Sequence, residues 1–273
     1  MRSLFAIPLI GVAAFLATSL FVQRLIDRMI FQPSPGAEFA PAALGIDAEE
    51  IQLESGDGVR LHAYYLPAPG GATRAILFLH GNAGNASHRL PNAAMLQGLG
   101  AHVLLPDYRG YGLSSGTPSE VGVYSDARAG LAHLIEARAI PETRVIVFGR
   151  SLGGAIAVDL AQDRDLAGVI LESTFTSLPE MARRVAGPLG SLFVRGGFDS
   201  IAKIGRVRSP LLFFHGNRDT VVPYELGVRL HAAAPEPKAF ETIDGADHGD
   251  TIFVGGRAYL ESIGRFLDRV APN

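Results

Sequence analysis

Arg144-Val145-Ile146-Val147-Phe148-Gly149-Arg150-Ser151-Leu152-Gly153-Gly154 is an apolar, largely β-branched run that stops at a serine fenced by glycines and then becomes helical in pattern. Residues 145–148 carry no polar side chain, as a strand buried on both faces of a parallel sheet requires. Beyond Ser151, residues 152–161 are small and apolar apart from Asp159, which suits a helix packed close on that sheet. A sharp strand-to-helix turn exposes a serine oxygen and crowds the positions two before and two after it, so glycine is expected at 149 and 153. A serine alcohol is a weak nucleophile in water and needs an adjacent base and hydrogen-bond donors for the developing oxyanion. A plain strand-to-helix turn with a serine N-cap needs neither, so the rest of the chain must decide.

Read outward from that turn, strands and helices alternate. Residues 51–53 and 59–66 flank Gly56-Asp57-Gly58, a hairpin signal. Strand-like runs follow at 75–79, 102–105, 145–148, 167–171, 211–214 and 239–243, with helical patterns at about 87–99, 122–138, 152–163, 224–234 and 256–270. An antiparallel hairpin leading into repeated βα units implies a mostly parallel sheet with helices on both faces. The rhythm breaks after Glu172. Residues 173–209 replace a single crossover helix and would sit over the carboxyl ends of the strands as a short cap, although an ordinary long crossover fits the same residues.

The amino end reads differently. From Ser3 to Val22 the chain is uncharged and apolar for about 20 residues, enough to cross a hydrocarbon core of roughly 30 Å as a helix. Residues 1–30 are therefore expected to be a single-pass membrane anchor, with its helix at about 3–22. The rival is a signal peptide cleaved near Ala17-Thr18-Ser19, which would release the protein; the apolar run continues past that point through Leu20, Phe21 and Val22. Arg2 on one side and Arg24 and Arg28 on the other leave the orientation open. Residues 31–48, with Pro33, Pro35, Gly36, Pro41 and Gly45, read as a linker, and 49–273 as one domain. A formal net charge of −3 and the lack of a long basic run give no reason to expect a nucleic-acid partner. The chain has no cysteine, which excludes disulfides, Cys-ligated zinc and a thiolate nucleophile.

A base for Ser151 must be a histidine, with a carboxylate to orient it, and on a turn of this kind acid and base follow the nucleophile in the chain. His215, His231 and His248 qualify by order. His215 ends a strand and is expected to support the turn after it, and His231 lies mid-helix among Leu230, Ala232 and Ala233. His248 lies in the polar loop Asp244-Gly245-Ala246-Asp247-His248-Gly249 after the last strand and is the chosen base. Asp219, just past a strand end and before Val221-Val222-Pro223, is the chosen acid, against the plainer roles of Asx-turn or helix cap. Asp199, Asp244, Asp247 and Asp250 are weaker candidates. The oxyanion donors are expected to be the backbone N–H groups of Leu152, at the helix start, and Asn82, in the loop His80-Gly81-Asn82-Ala83-Gly84-Asn85. His80 is expected to order that loop rather than to move a proton. Histidines so scattered form no metal-ligand spacing, and neither a metal nor a cofactor is expected.

Taken together, His80-Gly81-Asn82-Ala83-Gly84-Asn85, Asp107-Tyr108-Arg109-Gly110-Tyr111-Gly112 with Ser114, Gly116 and Pro118-Ser119-Glu120, Gly149-Arg150-Ser151-Leu152-Gly153-Gly154, Glu172-Ser173-Thr174-Phe175 and His215-Gly216-Asn217-x-Asp219-x-x-Val222-Pro223 resemble the α/β-hydrolase superfamily. More narrowly they are similar to its small, amino-terminally anchored members, often catalogued as serine peptidase-like hydrolases. The resemblance spans roughly residues 50–270 and implies an eight-stranded sheet and a Ser151, Asp219, His248 triad. It also implies that the 107–116 segment is a structural turn, so Asp107 and Ser114 take no catalytic role.

The expected activity is that of a serine hydrolase cleaving carboxylic ester or thioester bonds through an acyl-enzyme, on a small-molecule, lipid or acylated substrate near a membrane. A peptidase on the same triad is the alternative, with Glu180 and Asp199 as the carboxylates available to hold a free amine. A second class of reading is a binding protein that keeps the fold without the chemistry. Carboxylate-nucleophile versions of the fold are disfavoured by the serine at the elbow. Leu189, Leu192, Phe193 and Val194 in the cap segment would line an apolar channel or pack on the sheet.

Overall fold

The computed structural model describes residues 30–187, 194 and 197–273. The chain divides into the units Met1–Gln32 and Pro33–Asn273, and the second carries everything below. The expected anchor and its cleavage alternative, at residues 3–22, lie outside the described residues. Among the described residues no helix is long and apolar enough to cross a membrane.

Eight strands form one sheet: β1 (Glu49–Glu54), β2 (Arg60–Leu66), β3 (Ala75–Leu79), β4 (His102–Pro106), β5 (Val145–Arg150), β6 (Gly168–Glu172), β7 (Leu211–Gly216) and β8 (Lys238–Ile243). Their order is β8-β7-β6-β5-β3-β4-β2-β1. β1 and β2 are the antiparallel hairpin, β2 also meets β4 antiparallel, and every other pairing is parallel. The crossover helices are α1 (Leu90–Gln97), α2 (Glu120–Ala132), α3 (Leu152–Ala161), α4 (Leu178–Ala186), α5 (Ser200–Lys203) and α6 (Tyr224–Ala233), and α7 (Thr251–Val270) follows the last strand.

Strand side chains alternate between two faces, and both are covered. Ile76, Phe78, Val103, Leu105, Ile146, Phe148, Ile170, Leu212 and Phe214 join Leu90 and Leu96 of α1 and Ile263, Phe266 and Leu267 of α7 in one buried cluster. On the other face Leu77 lies against Gly130 of α2, and α3 lies along β5. This two-sided burial explains why the central strands read as unbroken apolar runs. Serine side chains cap two of these helices: Ser119 Oγ accepts from Gly122 N–H at 3.2 Å, and Ser177 Oγ from Glu180 N–H at 3.3 Å.

Two segments differ from expectation. α7 begins at Thr251 rather than near 256, and a non-helical Gly256 with φ 51°, five residues on, interrupts the sequence pattern there. The linker expected at 31–48 lies partly on the second unit. Ser34 N–H donates to the Gly84 carbonyl at 2.9 Å, Gly36 N–H to the Gly112 carbonyl at 2.8 Å, and the Asn85 side chain donates to the Ser34 and Gly36 carbonyls at 3.1 and 2.8 Å. A stretch rich in proline and glycine has no period to read, yet its backbone groups find partners in neighbouring loops. In the segment 173–209, the described part runs over α2 and α3: Phe198 N–H donates to Glu120 at 2.6 Å and Lys203 Nζ to Asp159 at 2.7 Å. Leu189, Leu192 and Phe193 lie outside the described residues.

Candidate active site

Ser151 stands between β5 and α3 with φ 54° and ψ −117°, a region that L-residues rarely occupy. Surrounding bonds hold it there. Its N–H donates to the Glu172 carbonyl at 2.8 Å, and its carbonyl accepts from Thr174 Oγ1 at 2.9 Å. The flanking glycines are required by close approach. A Cβ at Gly149 would meet the Gly153 carbonyl oxygen and stand 2.7 Å from Ala157 Cβ, while one at Gly153 would collide with the Leu79 carbonyl and stand 2.6 Å from the His80 carbonyl. Gly153 is thus fixed by β3 rather than by the turn itself. The substitution Gly153→Ala is expected to cost about 2–3 kcal/mol, the upper range for overpacking, because backbone must move on both sides; calorimetry of the variant measures it.

His248 Nε2 lies 3.0 Å from Ser151 Oγ, and its Nδ1 lies 2.8 Å from Asp219 Oδ2. A carboxylate only accepts, so Nδ1 carries the proton and Nε2 is left to accept from the serine hydroxyl. The Asp219 side chain is wholly buried. Its Oδ1 accepts from the N–H groups of Val221 and Val222 at 2.9 and 2.7 Å, and its Oδ2 also lies 3.3 Å from His215 Nε2. Burial alone would raise its pKa, but the hydrogen bonds from His215 and His248, the His248 charge and the Val222 N–H outweigh it and hold the carboxyl well below the usual range.

The loop after β3 lies against the nucleophile: a Cβ on Gly81 would stand 3.5 Å from Ser151 Cβ. Tyr111 OH donates to the Asn82 carbonyl at 2.8 Å, fixing the peptide plane beside the expected oxyanion donor. Leu152 N–H belongs to the first turn of α3, where the helix dipole favours negative charge. His80 is fully buried; its Nδ1 donates to the Gly81 carbonyl at 2.7 Å, its Nε2 has no hydrogen-bond partner among the described residues, and an Asp107 carboxylate oxygen lies 3.7 Å away. Burial therefore lowers the pKa of His80 below the ordinary histidine value. The unfolded chain binds this proton where the folded one does not, so stability is complete above about pH 6.5 and falls below it by at most about 1.4 kcal/mol per pH unit. Melting midpoints measured from pH 7.5 down to 5.5 should fall more steeply in the parent chain than in the variant His80→Phe.

The sequence profile of the family described as serine aminopeptidase, S33, matches residues 70–198. The α/β hydrolase domain-containing protein WAV2 of Arabidopsis thaliana is 36% identical over 274 residues, covering 90% of this chain and 88% of its own. The chain belongs to the α/β-hydrolase superfamily. A protein of Mycobacterium tuberculosis described as uncharacterized is similar over nearly its whole length, 38% identical over 271 residues with 97% of this chain and 96% of its own covered. An esterase of Pyrococcus furiosus has the same fold, with a TM-score of 0.75 at 22% identity over 89% of this chain and 98% of that one.

Within the α/β-hydrolase framework, the remaining candidates hold loops together. Asp247 Oδ1 accepts from Thr220 N–H at 2.8 Å and from His248 N–H at 2.7 Å, Asp244 accepts from Asn217 at 2.8 Å, Asp250 from Asp247 N–H at 2.7 Å, and Asp199 caps α5 through Ala202 N–H at 3.3 Å. His231 packs edge-on against Phe213. Arg109 binds Asp126 at 2.7 Å and Asp57 at 2.7 Å in the 107–116 turn, and its hydrogen bond holds the Asp57 carboxyl down at about 2. Among the described residues no three His, Asp or Glu side chains gather as a metal-binding group. Sequence reasoning missed three neighbours of the site: Arg150, Glu172 and the direct approach of His215 to Asp219. The last had a signal, since His215 and Asp219 are four residues apart at a strand end.

Proposed function

We propose that this α/β hydrolase cleaves carboxylic ester or thioester bonds through a Ser151 acyl-enzyme, on lipid or acylated substrates near a membrane. The observation that carries the reading is the unbroken relay from Ser151 Oγ to His248 Nε2 at 3.0 Å and from His248 Nδ1 to the buried Asp219 at 2.8 Å. His248 Nε2 takes the Ser151 proton as Oγ attacks the acyl carbonyl carbon. The oxyanion is held by the N–H groups of Leu152 and Asn82, and His248 returns its proton to the departing alkoxide or thiolate. Water then repeats the sequence: His248 takes its proton, its oxygen attacks the acyl carbon, and Ser151 Oγ leaves and is reprotonated. Asp219 keeps Nδ1 protonated throughout and stabilises the imidazolium.

Two features favour an apolar acyl substrate. Val221, two residues past Asp219, is 50% exposed, and Phe253 and Val254, shortly after His248, are 75% and 46% exposed. The apolar run 3–22, read as a single-pass anchor, would bring such a site to a bilayer.

A serine peptidase is the second reading, supported by the description of the matching family profile. It needs a carboxylate to capture a free amine. Glu180 accepts from Thr176 Oγ1 at 2.8 Å and pairs with Arg183 and Arg229, and Asp199 caps a helix, so both are already engaged. Turnover of a chain-length series of p-nitrophenyl esters and acyl thioesters, measured beside aminoacyl p-nitroanilides, separates the two. Esters and thioesters are expected to turn over with a preference for longer acyl chains, and faster anilide cleavage would contradict this.

A further inference from the structure

We propose that Arg150 and Glu172 form a positioning device that sets how closely His248 approaches Ser151, an inference that rests on the acyl-transfer reading above. Arg150 precedes the nucleophile at the end of β5, and Glu172, at the end of β6, is its partner in the parallel register. Glu172 is 2% exposed, and a carboxylate so buried must be met by donors. Its Oε1 accepts from Arg150 Nε at 3.0 Å and from Thr251 Oγ1 at 2.6 Å, and its Oε2 accepts from Tyr259 OH. Its own carbonyl accepts the Ser151 N–H at 2.8 Å. One residue therefore grips the backbone of the nucleophile and the first turns of the helix that follows the base.

The guanidinium completes the link. While Arg150 Nε faces Glu172, its NH2 donates to the His248 carbonyl at 3.0 Å. His248 is thus held at three points, its ring by Asp219, its N–H by Asp247 Oδ1 and its carbonyl by Arg150. The support matters because the loop contains Gly245, whose φ is 79°, and Gly249, which has nothing within 4 Å of a notional Cβ. Only a planar fork reaches both targets at once; a lysine ammonium at the same place would serve one of them. The groups facing the pair are Thr251, Tyr259 and Arg89. Arg89 feels both the Arg150 and the Glu172 charge and is itself bonded to the Ala83 carbonyl at 3.1 Å. Burial, followed by the Glu172 charge and hydrogen bond, pushes Tyr259 well above the ordinary phenol range, so its hydroxyl remains a donor.

The test uses the full chain, p-nitrophenyl acetate, a fluorophosphonate probe and the variants Arg150→Ala and Arg150→Lys. Arg150→Ala should lower kcat by about 10- to 100-fold, as expected for a misplaced catalytic group, with KM little changed and activity partly restored by added guanidinium ion; the melting midpoint falls because Glu172 loses a buried donor, so kcat is read well below it. If Arg150→Ala does not fold, Arg150→Lys keeps a cation at Glu172 and should still lose kcat without losing KM. Wild-type kcat in both arginine variants, or losses that follow the melting midpoint and resist guanidinium, would overturn the inference while labelling of the parent at Ser151 leaves the acyl-transfer reading standing. A parent chain that the fluorophosphonate does not label would overturn that reading, and the inference with it.

Discussion

Replacing Ser151 by alanine is expected to reduce ester turnover by about 10⁵- to 10⁶-fold, the loss known for removal of a triad nucleophile, with the fold intact. The serine oxygen accounts for the 3.0 Å bond to His248, whereas the bonds that shape the elbow are made by its backbone N–H and carbonyl. The variant should therefore melt like the parent. The backbone adds a second readout, since φ 54° is a strained value for any residue with a Cβ. Ser151→Gly, equally inactive, should be more stable than Ser151→Ala by about 1 kcal/mol because it relieves that strain. Kinetics with p-nitrophenyl acetate and thermal unfolding of both variants check the pair of outcomes.

Asp219→Asn is expected to lower kcat by about 10⁴-fold, through the tautomer of His248 rather than its position. The N–H groups of Val221 and Val222 converge on one oxygen of Asp219, at 2.9 and 2.7 Å. An asparagine would keep its carbonyl oxygen there and turn its NH2 toward His248 Nδ1. That nitrogen would then have to accept, the ring proton would move to Nε2, and Nε2 could no longer take the serine proton. The native carboxyl, held well below the usual range, stays ionised as the pH falls. Its contribution to stability is present above the ordinary carboxylate pKa of about 4 and is lost only as the pH drops through the lowered folded value. Any loss of activity found between pH 7 and 5 is therefore not a titration of Asp219. A pH–rate profile of the parent and the amide variant, with melting midpoints on the same samples, measures both effects.

The elbow was legible because its constraints, even the one that β3 places on Gly153, fall on one short stretch of chain. A β-branched run, glycines where a Cβ would strike backbone, and a small-residue helix leave their mark on residues 144–161 themselves. Asp219 and His248 were legible for a related reason: each follows the end of a strand, and β7 and β8 are sheet neighbours, so their loops emerge side by side. Arg150 and Glu172 were not. The residue between glycine and serine in the elbow has no period or spacing to set it apart, and a glutamate at a strand end reads as an ordinary solvated residue until the register aligns it with an arginine. His215 was read as a support for its turn, and only the coordinates bring its Nε2 to 3.3 Å from Asp219. The docked residues 34–36 were hidden for another reason. Proline and glycine announce irregular backbone without saying whether another loop will bind it.

The most direct measurement is mass spectrometry of the full chain after reaction with a fluorophosphonate, with peptide mapping of the adduct. An activated nucleophile predicts one adduct, on Ser151, formed rapidly in the parent chain, absent in Ser151→Ala and strongly slowed in His248→Ala. No adduct under conditions that label a control serine hydrolase, an adduct at another residue, or equal labelling with and without His248 would contradict the relay on which the proposed chemistry depends.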